Sequence, residues 1–282
     1  MQPVRDCRST QLDMMILGVG VRILCSDRAA CRLLRLGLSG LLSPTQTGEP
    51  TLEYRIDRIP SAPGRYTIVC DQEIVGVAAD QHELLYTLEK HLTIALQLRC
   101  PEFLFLHAAA VERDGAAYLL IGPSGGGKST LTWALLHYGF GYLTDELAPV
   151  ELNAMRVAPY PHAICLKTRP PKPFELPSGT LFTSSTFHIP VESLPAPVVH
   201  RSMPIKKLFF VQYRPMVREP TSRKLTPGEA SARAYASGLN LLAHSHFGLP
   251  ATAAVAGAVD CYEFFTGDLR QSCRSLCSII EF

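Results

Sequence analysis

Gly122-Pro123-Ser124-Gly125-Gly126-Gly127-Lys128-Ser129-Thr130 is the stretch on which the fold turns. It satisfies G-x-x-x-x-G-K-[ST], a pattern that carries meaning only with a strand before it and a helix after it. Both neighbours fit. The run 117–121 is apolar and reads as a buried strand, and 131–136 (Leu-Thr-Trp-Ala-Leu-Leu) reads as a helix that Gly139 and Gly141 stop. The residue types follow from the chemistry of holding a phosphate. Glycines let backbone N–H groups face an anion with no Cβ in the way, and the helix start adds a positive dipole end. A lysine at 128 supplies a compact charge for β- and γ-phosphates. A hydroxyl at 129 suits a Mg²⁺ that bridges them.

Outward from the loop, 103–111 (Phe-Leu-Phe-Leu-His-Ala-Ala-Ala-Val) is strand-like, and Glu112-Arg113-Asp114-Gly115 reads as a hairpin turn with Asp-Gly as its central pair. Downstream, Tyr142-Leu143-Thr144-Asp145-Glu146 begins the next strand. Asp145 then falls one short helix and a turn beyond the lysine, at the end of a neighbouring strand and facing the loop. The loop alone does not separate transport ATPases, GTPases and kinases. The chain carries no L-S-G-G-Q signature and no N-K-x-D guanine motif, which argues against the first two.

The remaining sequence sets the frame. At 282 residues the chain has room for one large domain or two modest ones. It is 47% apolar and 18% charged, enough apolar material for a packed core. A net charge of +2 gives no case for nucleic acid as a partner. No apolar run reaches membrane-span length, and no signal-peptide pattern is present, so the expectation is a cytoplasmic protein without an integral membrane segment. Nine cysteines without a C-x-x-C pair read as buried reduced thiols. Residues 14–25 read as one or two strands, 28–42 as a helix ended by a loop at 43–50, 51–59 and 66–71 as strands, and 81–98 as an amphipathic helix. This gives a small α+β unit over 1–100 and a catalytic domain over 101–282. Beyond 147 the pattern is of mixed short strands with Pro-rich connections at 170–177 and 195–197, a helix at about 227–242 and a last one at 267–279. Trp133 reads as core, and Arg201, Lys206 and Lys207 as a solvated basic face. His244 and His246 alternate but have no acidic neighbour that would make them a metal pair.

The segments Leu106-His107-Ala108-Ala109-Ala110-Val111-Glu112-Arg113-Asp114-Gly115, 122–130 and Leu143-Thr144-Asp145-Glu146-Leu147 resemble the HPr kinase/phosphorylase group, whose P-loop core is also similar to that of phosphoenolpyruvate carboxykinase. Within the group the pattern is most similar to HprK-related kinase A, the set found near exosortase systems. Ile164-Cys165-Leu166-Lys167, 208–213, Gly238-Leu239-Asn240 and Val259-Asp260-Cys261-Tyr262 add looser matches. Thr168 and Arg169 stand where the family pattern has Asn after the lysine.

The resemblance implies an α/β fold of the HPr kinase type, a mixed sheet with flanking helices, and an ATP- and Mg²⁺-dependent kinase. Its acceptor would be a hydroxyl, most simply a Ser of a protein or peptide. Alternatives are a small-molecule polyol or sugar kinase, and a nucleotide sensor without transfer. It assigns Asp145 as the general base, with His107 beside the loop to orient it or to stabilise the transferring group. Gly122, Pro123, Ser124, Gly125, Gly126, Gly127, Lys128, Ser129 and Thr130 would hold the nucleotide. Ser129 and Glu146 would be metal ligands, although Glu146 reads equally well as an outward charge. Lys167 and Arg169 would reach the γ-phosphate or the acceptor, with a solvated basic turn as the competing reading. A homo-oligomer is a further partner that the resemblance raises.

Overall fold

The computed structural model describes residues 10–43, 49–183, 185–217 and 219–281. Cys7 and residues 44–48 of the loop expected at 43–50 lie outside them. Two compact units divide the chain, Met1–Arg99 and Cys100–Phe282.

In the first unit, β1 (Thr10–Ile16) and β2 (Val19–Cys25) form a hairpin, and α1 (Arg28–Gly37) follows. Asp27 caps α1 by accepting the Ala30 N–H at 2.8 Å, satisfying one of the donors a helix start leaves open. The helix is shorter than the 28–42 expected, because the chain tightens into a 3₁₀ turn at Ser39–Leu41. Strands β3 (Leu52–Arg58), β4 (Tyr66–Cys70) and β5 (Glu73–Ala78) complete a sheet in the order β1-β2-β3-β4-β5. In β3, Leu52, Tyr54 and Ile56 are buried while Glu53 and Arg55 face out, the alternation of a half-covered strand. The long helix α2 (Gln81–Arg99) packs on β4 and β5.

The second unit is built on a nine-stranded sheet. Its elements are β6 (Phe103–Leu106), β7 (Ala108–Arg113), β8 (Ala116–Ile121), α3 (Lys128–Leu136), β9 (Gly141–Thr144), β10 (Ala148–Glu151) and β11 (Arg156–Val157). A small sheet of β12 (Ile164–Leu166), β13 (Leu181–Phe182) and β14 (Phe187–Ile189) follows, then β15 (Met203–Tyr213), β16 (Thr221–Lys224), α4 (Pro227–Tyr235), α5 (Leu249–Ala258), β17 (Asp260–Thr266) and α6 (Leu269–Glu281). The large sheet runs β6-β10-β11-β15-β8-β7-β9, with β17 beside β15 and β16 beside β17. Three sheets and six α-helices among the described residues make this a mixed α/β protein.

Strand direction positions the site. β15 is parallel to both β8 and β17, and β7 is antiparallel to both β8 and β9. The carboxyl ends of β8, β9, β15 and β17 therefore share one edge of the sheet with the start of β7. Side chains alternate between two cores. Ala109, Val111, Tyr118, Leu120, Phe209, Val211 and Phe264 pack under α3 and α6, and Ala108, Ala110, Leu119, Ile121, Leu208 and Phe210 pack under α4 and α5. Burying each large apolar side chain there contributes about 1.5–3 kcal/mol. Trp133 belongs to the first of these cores, at 1% exposure, with Nε1 donating to Phe174 O at 2.9 Å.

Several expectations change. The strand expected across 103–111 is two strands, broken at His107. The helix expected at 227–242 stops at Tyr235. The chain is instead pinned to β6 by Asn240, which accepts from Phe105 N at 2.9 Å and donates to Phe103 O at 2.8 Å. Helix α5 had no periodic signal, since Leu-Pro-Ala-Thr-Ala-Ala-Val-Ala-Gly-Ala has no polar face. Lys207 is not solvated. It is buried on β15 and its Nζ donates to Ile279 O. Eight described cysteines are free thiols, and all but Cys165 and Cys277 are buried. No helix among the described residues is long and apolar enough to cross a membrane.

Candidate functional site

The glycine loop connects β8 to α3 at the carboxyl edge of the sheet, where open α/β sheets bind ligands. Its glycines are required by space as well as by conformation. A Cβ on Gly122 would meet Val211 O at 2.5 Å, and one on Gly126 would meet Pro123 O at 3.0 Å. Gly127 closes the loop at φ 91°, and no side chain caps the start of α3. The first N–H groups of that helix are thus offered to an anion rather than to the protein's own oxygens. Tyr213 N donates to Gly126 O at 2.9 Å, tying the loop to the end of β15.

Lys128 is buried, and its Nζ donates to Gly122 O at 2.8 Å and Pro123 O at 3.2 Å. These are carbonyls of the loop itself, so the ammonium is parked where a phosphate would draw it outward. Burial lowers its pKa, an effect that Asp145 and Glu146 oppose. His107 lies 3.3 Å from the same Nζ through Nε2. An ammonium only donates, so Nε2 accepts and the proton sits on Nδ1. Burial, and then the Lys128 charge, lowers the His107 pKa, which keeps the ring neutral near pH 7. The hairpin explains its place. Ala108 pairs with Ile121, which sets His107 opposite Gly122. Its N–H is held by Ser237 O at 2.8 Å.

Asp145 follows β9. That strand is not the immediate neighbour of β8 as expected, because β7 lies between them. β9 runs parallel to β8, so its carboxyl end still reaches the loop's edge. Asp145 is wholly buried, and neither carboxylate oxygen has a hydrogen bond. The Ser129 hydroxyl lies near enough to favour the charged form without completing a bond of good geometry. Burial pushes the Asp145 pKa up to about 6, Glu146 adds to the rise, and His162, Ser129 and Lys128 oppose it. The Asp145 carbonyl is well held, accepting from Leu147 N at 2.8 Å and His162 Nε2 at 2.7 Å. Glu146 is exposed and takes φ 65°, in the left-handed region.

A cavity of about 610 Å³ opens at this edge. It is lined by His107, Ser124, Gly125, Gly127, Lys128, Ser129, Thr130, Glu146, Lys167 and Arg169, with Tyr213 and Thr266 at the ends of β15 and β17. The structure thus brings all but four of the expected residues to one wall. Gly122, Pro123 and Gly126 form the loop's inner turn, and Asp145 is sealed behind the surface. Lys167 Nζ donates to Ser124 Oγ at 2.6 Å. Arg169 has its Cζ 5.7 Å from the Phe182 ring centre and 5.3 Å from that of Phe187.

The sequence reading missed His162, the Phe182–Phe187 flank of Arg169, and Tyr213 and Thr266 as wall residues. The last two had a signal, since each ends a long apolar strand. His162 had none, because the contact depends on how residues 158–163 cross the end of β9. Chemically, the wall combines uncapped N–H donors, a lysine, a hydroxyl and hard carboxylate oxygens. That donor set fits a triphosphate and a Mg²⁺ ion.

No protein-family model matches the chain, and no curated protein matches it. Among solved structures, the chain is similar to the HPr(Ser) kinase/phosphatase from Coxiella burnetii, at 12% identity over 63% of this chain and 88% of that one, with a TM-score of 0.31.

Proposed function

We propose that the chain is a Mg²⁺-dependent ATP phosphotransferase that moves the γ-phosphoryl group to a hydroxyl, in the first place a Ser of a protein or peptide. One observation carries the reading. An uncapped glycine loop with Lys128 and Ser129 meets, at one sheet edge, a buried carboxylate that has no hydrogen bond. A buried group left in that state is costly and is characteristic of sites that hold a ligand or do chemistry.

The loop N–H groups and Lys128 bind the phosphates. Ser129 and the acidic pair Asp145–Glu146 would hold Mg²⁺, which when bound offsets charge on the β- and γ-phosphates. One carboxylate of the pair takes the acceptor's proton as its oxygen attacks phosphorus and ADP departs. Positioning and charge supply most of the acceleration in such a transfer, so a single base suffices. Neutral His107 accepts from Lys128, and it can release that ammonium to the phosphates without electrostatic competition. Lys167 and Arg169 line the facing wall, where they can meet further negative charge.

The test uses ATP labelled in its γ-phosphate, Mg²⁺ and a lysate, with Lys128→Ala and Asp145→Asn as controls. The expected result is label on a protein or peptide that both substitutions abolish. Label on a small molecule instead would make it a metabolite kinase. ATP binding without transfer to any acceptor would leave a nucleotide sensor and sink the enzyme reading.

A further inference from the structure

We propose that Arg169 selects the acceptor by holding a carboxylate beside the acceptor serine, so that the substrate class is an acidic peptide segment, a Ser flanked by Asp or Glu. This rests on the phosphotransferase reading above and names the acceptor within it.

The small sheet places Arg169. Leu166 ends β12 opposite Phe187 of β14, and Phe187 pairs in turn with Phe182 of β13. The two rings meet edge-on, with centres 5.5 Å apart at 85°. The Arg169 guanidinium lies against both, close enough for each ring to attract the cation. Phe182 is 53% exposed. A ring left that open adds little to a core, and its contact with Arg169 gives it a use. The rings hold the side chain in place before a ligand arrives, which lowers the ordering cost of binding.

A guanidinium stacked on rings keeps its N–H donors at its edge. Arg22, Arg113 and Arg233 each meet a carboxylate. Arg169 meets only rings among the described residues, and the neighbouring Glu175 is taken by Lys172 at 3.6 Å. A fixed fork of unused donors matches the two oxygens of a carboxylate.

This cation stands apart from those that face the nucleotide. Lys128 bonds to the loop's own carbonyls, and Lys167 is tied to the loop through Ser124 Oγ. Arg169 lines the same cavity, but Phe182 and Phe187 do not, which sets its guanidinium at the mouth. The mouth is open, since Lys167, Thr168, Arg169, Pro171 and Lys172 are all exposed. Small-molecule sites enclose most of their ligand's surface, and this ledge encloses little. A peptide lying across it brings a serine to the cavity and a neighbouring acidic side chain to Arg169.

The experiment follows labelled γ-phosphate from Mg²⁺·ATP into three pools of synthetic serine peptides. The residues flanking the serine are acidic, alanine or lysine, and the other positions are degenerate. The full chain is compared as wild type, Arg169→Ala, Arg169→Glu and Phe182→Ala. Wild type is expected to label the acidic pool about 10–100-fold faster than the alanine pool, the contribution of a hydrogen bond between charged groups. Arg169→Ala should remove most of that preference. Arg169→Glu should invert it in favour of the lysine pool, which loss of a merely structural contact would not do. Phe182→Ala should keep the order and narrow the gap. Equal labelling of the pools by wild type, or an acidic preference that persists in Arg169→Glu, would overturn the assignment. No label in any pool, from a protein that binds Mg²⁺·ATP, would overturn the peptide acceptor and leave the nucleotide site standing. A protein that binds no Mg²⁺·ATP would overturn the phosphotransferase reading as well.

Discussion

Replacing Asp145 by Asn should stabilise the ligand-free protein in alkaline solution, although it removes a residue of the proposed site. Carrying a carboxyl from its ordinary 3.8 to about 6 corresponds, at about 1.4 kcal/mol per pKa unit, to about 3 kcal/mol. The sign follows from proton binding. The folded state holds the Asp145 proton more tightly than the unfolded chain, so stability falls as pH rises through this range. The penalty is small below pH 4, about half developed at pH 5, and complete above pH 7. Asparagine carries no charge to desolvate, but its amide is still buried without partners, which costs about 1–3 kcal/mol. The net expectation is a gain of about 0–2 kcal/mol at pH 8, with the charge penalty behind it falling by about half at pH 5. The assay is urea unfolding in EDTA, followed by fluorescence. Trp133 is the chain's single tryptophan and is buried in the second unit, so the signal reports the unit that carries the site. A variant less stable than wild type at pH 8 by more than about 1 kcal/mol, or a difference unchanged between pH 5 and 8, would refute the reasoning.

Three other outcomes are expected. Gly122→Ala drives a methyl toward Val211 O and should cost about 1–3 kcal/mol, measured by the same unfolding curve, together with loss of nucleotide binding. Asn240→Ala leaves Phe105 N without its side-chain acceptor, while Phe103 O keeps the His244 Nε2 contact at 3.2 Å. It should cost about 1–3 kcal/mol and speed amide exchange at His107, the next residue but one. Burial pushes the Cys25 and Cys261 thiols up to about 11, so at pH 8 they should resist iodoacetamide. Half-buried Cys165 on the cavity wall should react sooner, and Mg²⁺·ATP should slow it while leaving Cys277 unaffected, as read by peptide mass.

The loop and its flanking elements were legible because their signals are local. A glycine pattern, an apolar run and a helix pattern sit within one contiguous segment, and the Asp114-Gly115 turn fixes the hairpin that carries His107 to the loop. Asp145 was legible as a residue but not as an environment. Nothing in Leu-Thr-Asp-Glu-Leu says which acid is sealed, since that depends on a turn held by His162 and Thr144 and on a strand order that inserts β7. Helix α5 was hidden because alanine on every face leaves no period to detect. The early end of α4 was hidden because the decisive bonds run from Asn240 to β6, far away in sequence. Lys207 looked solvated beside Lys206. On a strand, however, adjacent residues point to opposite faces, and the end of α6 covers the Lys207 side.

The most direct measurement is a calorimetric titration of ATP into the purified chain, with and without Mg²⁺, for wild type and Lys128→Ala. The cavity, its uncapped helix start and its buried carboxylate predict one site per chain, binding at least tenfold tighter with Mg²⁺, and loss of that binding in the variant. Binding that ignores both Mg²⁺ and Lys128, or no binding at all, would contradict the reading of this edge as a site for a metal–nucleotide complex.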